Sequence, residues 1–263
     1  MPAPTKRAEK MTQLPPIVSI IMPCFNSEHY LDQAIMSVVQ QSYKNWELLI
    51  CDDNSSDGSL IIARRWVKRD PRIQLLRNKF GKGASGARNS CIHEASGRFI
   101  AFLDSDDSWK FDKLEKQISH MDETGSSFSI SYYNVIDDSG RFMHSVKTPP
   151  KVTLPLMMYS NFIPCLTAVY DSSVLGKVFQ PDIEKRNDYA LWLTLFSEKG
   201  VQCATVIPEP LAFYRQNSYG LSSSKVDSLK FFFICLQRYG GRSSIASFYF
   251  TCFYLLLLIF KKL

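Results

Sequence analysis

Three short strings in this chain have the residue types and spacing that chemistry needs. Asp104-Ser105-Asp106-Asp107 sets two carboxylates two residues apart, directly after an apolar run. Hard divalent cations such as Mg2+ or Mn2+ take oxygen ligands, often one or two carboxylates completed by substrate phosphates. A bare carboxylate cluster repels an anionic nucleotide, so a bridging cation is the physical way to reconcile the two. Asp-x-Asp also occurs as a polar turn capping the next helix; its place at the end of a buried run favours the ligand role. The second string, Asp52-Asp53-Asn54-Ser55-Ser56-Asp57, closes another apolar run. It offers a carboxylate to a base or ribose, or it forms a solvated loop of Asx turns. The third, Gly81-Lys82-Gly83-Ala84-Ser85-Gly86, matches the GxGxxG dinucleotide fingerprint, with Asp104 about twenty residues on.

The elements that must position these strings follow a rhythm. Ile17–Met22 reads as a buried strand ending at Pro23, and Leu31, Ala34, Ile35, Val38 and Val39 follow at helical spacing with Ser27 as N-cap. Trp46–Cys51 is a second strand and Leu60–Val67 a helix. Ile73–Leu76 is a third strand, with a helix to about Ala95, and Arg98–Leu103 a fourth. Phe111, Leu114, Ile118 and Met121 mark a further helix. Alternation of this kind predicts an α/β fold, a parallel sheet with helices on both faces. Ligands then bind outside the carboxyl ends of the strands, where both acidic strings lie.

The second half predicts mixed α+β structure that completes the cleft. Phe128–Ile136 and Arg141–Val146 form a hairpin around Asp137-Asp138-Ser139-Gly140. A strand near Leu166–Tyr170, a helix over Asp188–Lys199 and short strands at Val201–Ile207 and Leu211–Tyr214 follow.

Hydrophobic residues at 45% against 21% charged allow a core and exclude wholesale disorder. The net charge of +6 is concentrated at the ends: residues 225–263 hold six basic residues against one aspartate, and residues 17–224 are nearly neutral. A near-neutral middle has no basic groove for nucleic acid, so no nucleic-acid partner is expected. Seven scattered cysteines without a CxxC pair point away from a disulfide framework or zinc site and toward a reducing, cytosolic setting. Residues 1–16 are polar and read as a disordered tail without a signal peptide. The segment 225–263 reads as a basic, apolar, membrane-associating tail. Its Ile245–Phe260 stretch is short of the ~20 apolar residues that a bilayer span needs and suits an interfacial or re-entrant helix pair, or a helix buried in the domain or a dimer interface.

Val18-Ser19-Ile20-Ile21-Met22-Pro23-Cys24-Phe25-Asn26, Cys51 through Ser59, Gly86-Ala87-Arg88-Asn89 and Phe102 through Asp107 occur in an order and spacing that resembles glycosyltransferase family 2. The resemblance covers about residues 17–125. It implies a GT-A-like, Rossmann-type, mostly parallel sheet with flanking helices, a mixed α+β acceptor half and C-terminal apolar helices. The implied domain is 17–224, with 17–125 the nucleotide-sugar half and 126–224 the acceptor half. The implied activity is metal-dependent, inverting transfer from a nucleotide-sugar, a UDP-sugar, to a saccharide. By the same resemblance Pro23 and Phe25 line the base pocket, Asp53 holds the base with Asp52 nearby, and Arg88 approaches the nucleotide. Asp104 contacts ribose and a Mn2+ or Mg2+ cofactor, and Asp106 is the principal metal ligand. Asn187-Asp188-Tyr189-Ala190-Leu191-Trp192-Leu193 resembles the family's later acidic motif, which makes Asp188 the general base; Asp188 is also a candidate helix N-cap. Asn187 stands where the family usually has Glu. Asp107, Asn187, Trp192 and Arg215 are candidate accessories, Arg215 either toward the diphosphate or on the surface.

Together with the tail, the resemblance implies a polyprenyl-diphosphate-linked acceptor and work at the cytoplasmic face of a bacterial inner membrane, in O-antigen, capsule or exopolysaccharide assembly. Two alternatives stay open in the sequence. A nicotinamide oxidoreductase would use Gly81–Gly86, although that loop follows the third strand rather than the first. A non-catalytic nucleotide-sugar-binding membrane scaffold would need no working Asp104, Asp106 and Asp188 set.

Overall fold

The computed structural model describes residues 17–216 and 225–260. The expected N-terminal tail and the closing lysines, Lys261 and Lys262, lie outside the described residues. Four strands, β1 (Val18–Cys24), β2 (Trp46–Asp52), β3 (Ile73–Arg77) and β4 (Phe99–Phe102), pair in parallel in the order β3-β2-β1-β4. Every residue of β1 and β4 is buried. Continuous apolar runs are what a sheet covered on both faces requires. The covering helices are α1 (Leu31–Val39), α2 (Ser59–Arg69) and α3 (Ala84–Glu94).

The register sets the site. Cys24 pairs with Asp52, the Asp53 amide donates to the Cys24 carbonyl (2.9 Å), and the Leu103 amide donates to the Ile21 carbonyl (3.1 Å). Phe25, Asp53 and Asp104 therefore leave neighbouring strands at one edge of the sheet.

The sheet continues into the second half as β4-β9-β6-β10-β5, where β5 is Ser108–Trp109, β6 Phe128–Ile136, β9 Val169–Asp171 and β10 Ala204–Arg215. β9 lies antiparallel to both β4 and β6, and β6 is parallel to β10. β7 (Phe142–Val146) forms the expected hairpin with β6, and the short β8 (Lys151–Val152) pairs antiparallel with β10. The expected pair of short strands after residue 200 is one bulged strand, β10, with register shifts around Pro210; proline has no amide to donate, so the ladder skips there. The strand expected at Leu166–Tyr170 begins instead as a 3-10 turn, Cys165–Thr167, and pairs only from Val169. Ser27 is not a side-chain cap of α1, because its hydroxyl pairs with the Phe25 carbonyl and the Ser105 hydroxyl.

Between β5 and β6 lies α4 (Lys113–Thr124); the short helices α5 (Leu154–Met157) and α6 (Ser172–Leu175) flank β9, and α7 (Asn187–Ser197) precedes β10. Eight of the eleven α7 residues, Tyr189 to Phe196, are buried, so this helix runs through the core. The tail folds back as two helices, α8 (Lys225–Arg238) and α9 (Ser244–Phe260). Phe231, Phe232, Cys235 and Leu236 of α8 join the core around Tyr189 and Trp192. α9 keeps an apolar face outward, with Ile245 at 85% exposure, Phe248 at 65% and Tyr249 at 63%. Among the described residues no helix is long and apolar enough to cross a membrane.

Candidate active site

The loop after β1 ties the two acidic strings together. The Asn26 amide donates to Ser55 Oγ (3.0 Å), the Ser27 amide donates to Ser59 Oγ (2.8 Å), and the Ser27 and Ser105 hydroxyls share a 2.7 Å hydrogen bond. Asn26 takes φ 48°, a left-handed conformation that asparagine tolerates. Pro23 is buried in β1 and fixes the strand end, while the Phe25 ring stands 55% exposed beside the acidic loops. An exposed aromatic at a strand end can stack on a planar ring.

Asp53 is buried, with one oxygen accepting from Asn78 Nδ2 (2.8 Å) and the other from the Gly83 amide (2.6 Å). Asp52 accepts from the Ser55 amide (3.2 Å) through one oxygen, and its Oδ1 is buried without a partner. The glycine loop thus serves the acid. Gly81 and Gly83 sit at φ 98° and 103°, and a Cβ on Gly86 would lie 1.8 Å from the Gly81 carbonyl oxygen. The amide that would face a pyrophosphate in a dinucleotide fold faces the Asp53 carboxylate instead. The GxGxxG match is a product of local packing, and the oxidoreductase alternative loses its anchor.

Asp104 is held by Arg88 of α3, Nη2 to Oδ1 at 2.5 Å. Burial presses the Arg88 guanidinium down, and the Asp104 carboxylate more than offsets it. Arg88 Nε is buried without a partner. Asp107 accepts from the Arg215 amide (2.8 Å); burial first, then Asp106 and Asp104, push its carboxyl well above the usual range. That shift shows three carboxylates crowded within electrostatic reach of one another.

Arg215 is neither a surface arginine nor aimed at open space. It is 3% exposed and donates to the carbonyls of Asp106 (3.0 Å), Asp137 (3.1 Å) and Asp138 (3.0 Å) and to Gln33 Oε1 (2.7 Å). Its guanidinium also lies 4.5 Å from the Tyr30 ring centre. It clamps the acidic loop to the β6–β7 turn and to α1, because a planar fork can serve several carbonyls at once.

Asp188 lies in the first turn of α7, one residue inside the helix rather than at its cap. Its Oδ2 accepts from Asn161 Nδ2 (3.0 Å). Burial raises its carboxyl above the ordinary value, against the pull of Arg88 and Arg186, and Asp104 adds to the rise. Asp188, Arg88 and Asp104 therefore share one electrostatic neighbourhood, built from α7, α3 and the end of β4. The Asn187 amide donates to the Pro181 carbonyl (3.5 Å) and to the Ile183 carbonyl. A glutamate could not make those bonds, which gives the departure a structural role. Trp192 is fully buried, donates to the Ile163 carbonyl (2.9 Å) and packs on Phe102 and Phe128. It supports the site from below and touches no open surface. Asn161, Asn78 and Gln33 carry no sequence signal that marks them; only tertiary proximity reveals them.

The family model described as glycosyl transferase family 2 matches residues 19–176. The chain belongs to glycosyltransferase family 2. It is 41% identical over 220 residues to the UDP-Glc:alpha-D-GlcNAc-diphosphoundecaprenol beta-1,3-glucosyltransferase WfgD of Escherichia coli, spanning 81% of this chain and 83% of that protein. It is 38% identical over 224 residues to the putative teichuronic acid biosynthesis glycosyltransferase TuaG of Bacillus subtilis, spanning 84% and 87%. In fold it is similar to S. aureus TarS 1-349 in complex with UDP, at TM-score 0.66 and 19% identity over 90% of this chain and 70% of that one. It is also similar to the mannosyltransferase PcManGT from Pyrobaculum calidifontis in complex with GDP-Man and Mn2+, at TM-score 0.66 and 17% identity over 88% and 66%. The architecture is GT-A, and the activity is glycosyl transfer.

Proposed function

We propose that this glycosyltransferase moves glucose, with inversion, from UDP-glucose to a saccharide carried on a polyprenyl diphosphate, in bacterial surface-polysaccharide assembly. The observation that carries the mechanism is the half-buried Asp188 carboxylate, bonded to Asn161 and within electrostatic reach of the Arg88–Asp104 pair. The substrate class rests on the relatives' names.

In this reading Phe25 stacks on the base, and Asp53 and Asp52 orient it. Arg88 holds Asp104 ready for the ribose and diphosphate. Asp188 takes the proton of the acceptor hydroxyl as that oxygen attacks the anomeric carbon. Its raised carboxyl affinity for protons makes it a better base than a solvated aspartate, and Asn161 fixes which oxygen is presented. Attack from the side opposite the leaving diphosphate inverts the centre in one step, with no sugar–enzyme bond.

The donor set suits a divalent cation. Asp104 and Asp106 supply carboxylate oxygens, the crowded like charges around Asp107 favour a cation, and Mg2+ or Mn2+ takes one or two carboxylates plus phosphates. Asp104 and Asp106 would hold it, and when bound it supplies charge neutralisation at the departing nucleoside diphosphate.

The outward face of α9, beside Arg238 and Arg242, supports peripheral attachment to the anionic cytoplasmic face of the inner membrane, where a lipid-linked acceptor resides. Flotation with phosphatidylglycerol vesicles tests this part. The protein floats, Phe248→Ser with Tyr249→Ser does not, and equal recovery of both in the soluble fraction refutes attachment through α9.

The test of the reaction is UDP release from UDP-glucose with a synthetic GlcNAc-diphospholipid and Mn2+. Asp188→Asn should lower turnover by about 10²–10⁴-fold while UDP still binds; near-normal turnover in that variant removes Asp188 from the chemistry.

A further inference from the structure

The residue that starts the base-bearing helix is held by the end of the chain. Arg186 precedes α7 with φ 63° and ψ 34°, a left-handed conformation that costs a side-chain-bearing residue about 1–2 kcal/mol. Its carbonyl accepts from the Ala190 amide (2.9 Å) and so opens the helix. Its guanidinium reaches across to the C-terminal helices. Nε donates to the Ser228 carbonyl (3.1 Å), and Nη2 donates to Ser228 Oγ (2.6 Å) and to the Tyr254 hydroxyl (2.8 Å). The same group lies 5.4 Å from the Phe232 ring centre and 5.1 Å from that of Tyr254.

A ladder of rings runs alongside. Tyr189, the neighbour of Asp188, stacks on Phe232 at 5.3 Å and 4°, and Phe232 stacks on Tyr254 at 4.4 Å and 20°. Lys185 adds an ion pair to Asp227 of α8 at 2.8 Å. One turn of backbone therefore links the outward helix α9, through α8, to the carboxylate of Asp188.

We propose that Arg186, locked by Ser228, Phe232 and Tyr254, is a positioning residue that holds the Asp188 carboxylate in its working place. The proposal rests on Asp188 being the base. It also gives the C-terminal helices a role at the site beyond contact with a surface. Among the described residues, the groups within electrostatic reach of Asp188 are Arg88 from α3, Arg186, Asp104 after β4, and the thiols of Cys165 and Cys235. Both arginines favour the ionised carboxylate and Asp104 opposes it. Loss of the Arg186 charge therefore moves the Asp188 titration to higher pH.

The test follows the Asp188 carboxyl by 13C NMR in the full chain, its signal assigned by loss in Asp188→Asn, together with steady-state turnover of UDP-glucose. Arg186→Gly keeps the left-handed backbone and removes the anchor; Arg186→Met keeps the stem; Arg186→Lys keeps the charge but not the fork. UDP binding and melting curves verify that each variant is folded. Arg186→Gly and Arg186→Met should titrate Asp188 at higher pH and lose at least about tenfold in kcat, since small misplacements at the reacting atoms are costly. Their donor KM should stay within about twofold, as expected when only transition-state interactions are lost. Arg186→Lys should titrate like the parent and still lose kcat. Folded Arg186→Gly and Arg186→Met with an unmoved Asp188 titration overturn the proposal, whether or not kcat falls. Normal turnover in Asp188→Asn overturns the base assignment instead, and the NMR titration distinguishes the two failures.

Discussion

Replacing Gly86 by alanine separates two physical effects of opposite sign. On helix propensity alone, alanine for glycine inside α3 stabilises by at most about 1 kcal/mol. The structure predicts the reverse. The new Cβ would stand 1.8 Å from the Gly81 carbonyl oxygen and 2.8 Å from its carbon, both backbone atoms, so the 80–83 loop must move. That loop supplies the Gly83 amide that bonds Asp53 at 2.6 Å, and its Gly81 carbonyl accepts from Asn78 at 2.6 Å, the second donor to Asp53. Two hydrogen bonds to a buried carboxylate are worth about 1.5–3 kcal/mol each. Subtracting the propensity gain leaves a loss of about 2–5 kcal/mol. For a chain of this size that lowers Tm by roughly 5–15 °C. UDP affinity should fall as well if Asp53 orients the base as proposed, since the loop holds that carboxylate in place. Thermal melts and calorimetric UDP titration read both quantities. A Gly86→Ala protein with raised Tm and unchanged UDP affinity would refute the role assigned to the loop.

Other outcomes follow from buried charge. Lys113 is fully buried, donates to Gln117 Oε1 (2.7 Å) and lies 4.3 Å from the Trp109 ring centre. Burial pushes its ammonium down to about 7 from the ordinary 10.5, so between those values the unfolded chain binds more protons and this group's contribution to stability rises with pH. Lys113→Met should therefore gain most over the parent below pH 7, by up to a few kcal/mol, and the gap should close toward pH 10 in urea unfolding at several pH values. Arg215→Lys loses the fork that joins Asp106, Asp137, Asp138 and Gln33, and should cost about 2–4 kcal/mol in the same assay. Its UDP binding in Mn2+ should weaken too, because the acidic loop is released from α1.

The first half was readable because a doubly covered parallel strand is mostly apolar, and Val18–Cys24, polar only at Ser19, and Phe99–Phe102 show that pattern. The two acidic strings were readable because they close β2 and follow β4. What the sequence hides is the company the acids keep. Nothing local marks Asn161 as the partner of Asp188 or Asn78 as the partner of Asp53, since each pairing is made by tertiary approach. Arg215 looks like any polar strand end until the turn at Asp137 and Asp138 folds over it. β10 reads as two strands because Pro208 and Pro210 interrupt its ladder, yet the chain bulges past them. The tail reads as basic and apolar throughout, and only the fold divides it: α8 enters the core against Tyr189 and Trp192 of α7, while α9 packs there through Phe250 and Tyr254 and turns Ile245, Phe248 and Tyr249 outward. The GxGxxG string shows the converse, a motif whose glycines are required for a different reason.

The central claim is single-displacement transfer with Asp188 as base. Its most direct test is the anomeric configuration of the product formed from UDP-α-glucose and a GlcNAc-diphospholipid, read from the proton coupling constant by NMR. A β-linked glucoside, absent when Asp188→Asn is used, is the predicted result; an α-linked product, or a β-linked product formed equally well by Asp188→Asn, would contradict it.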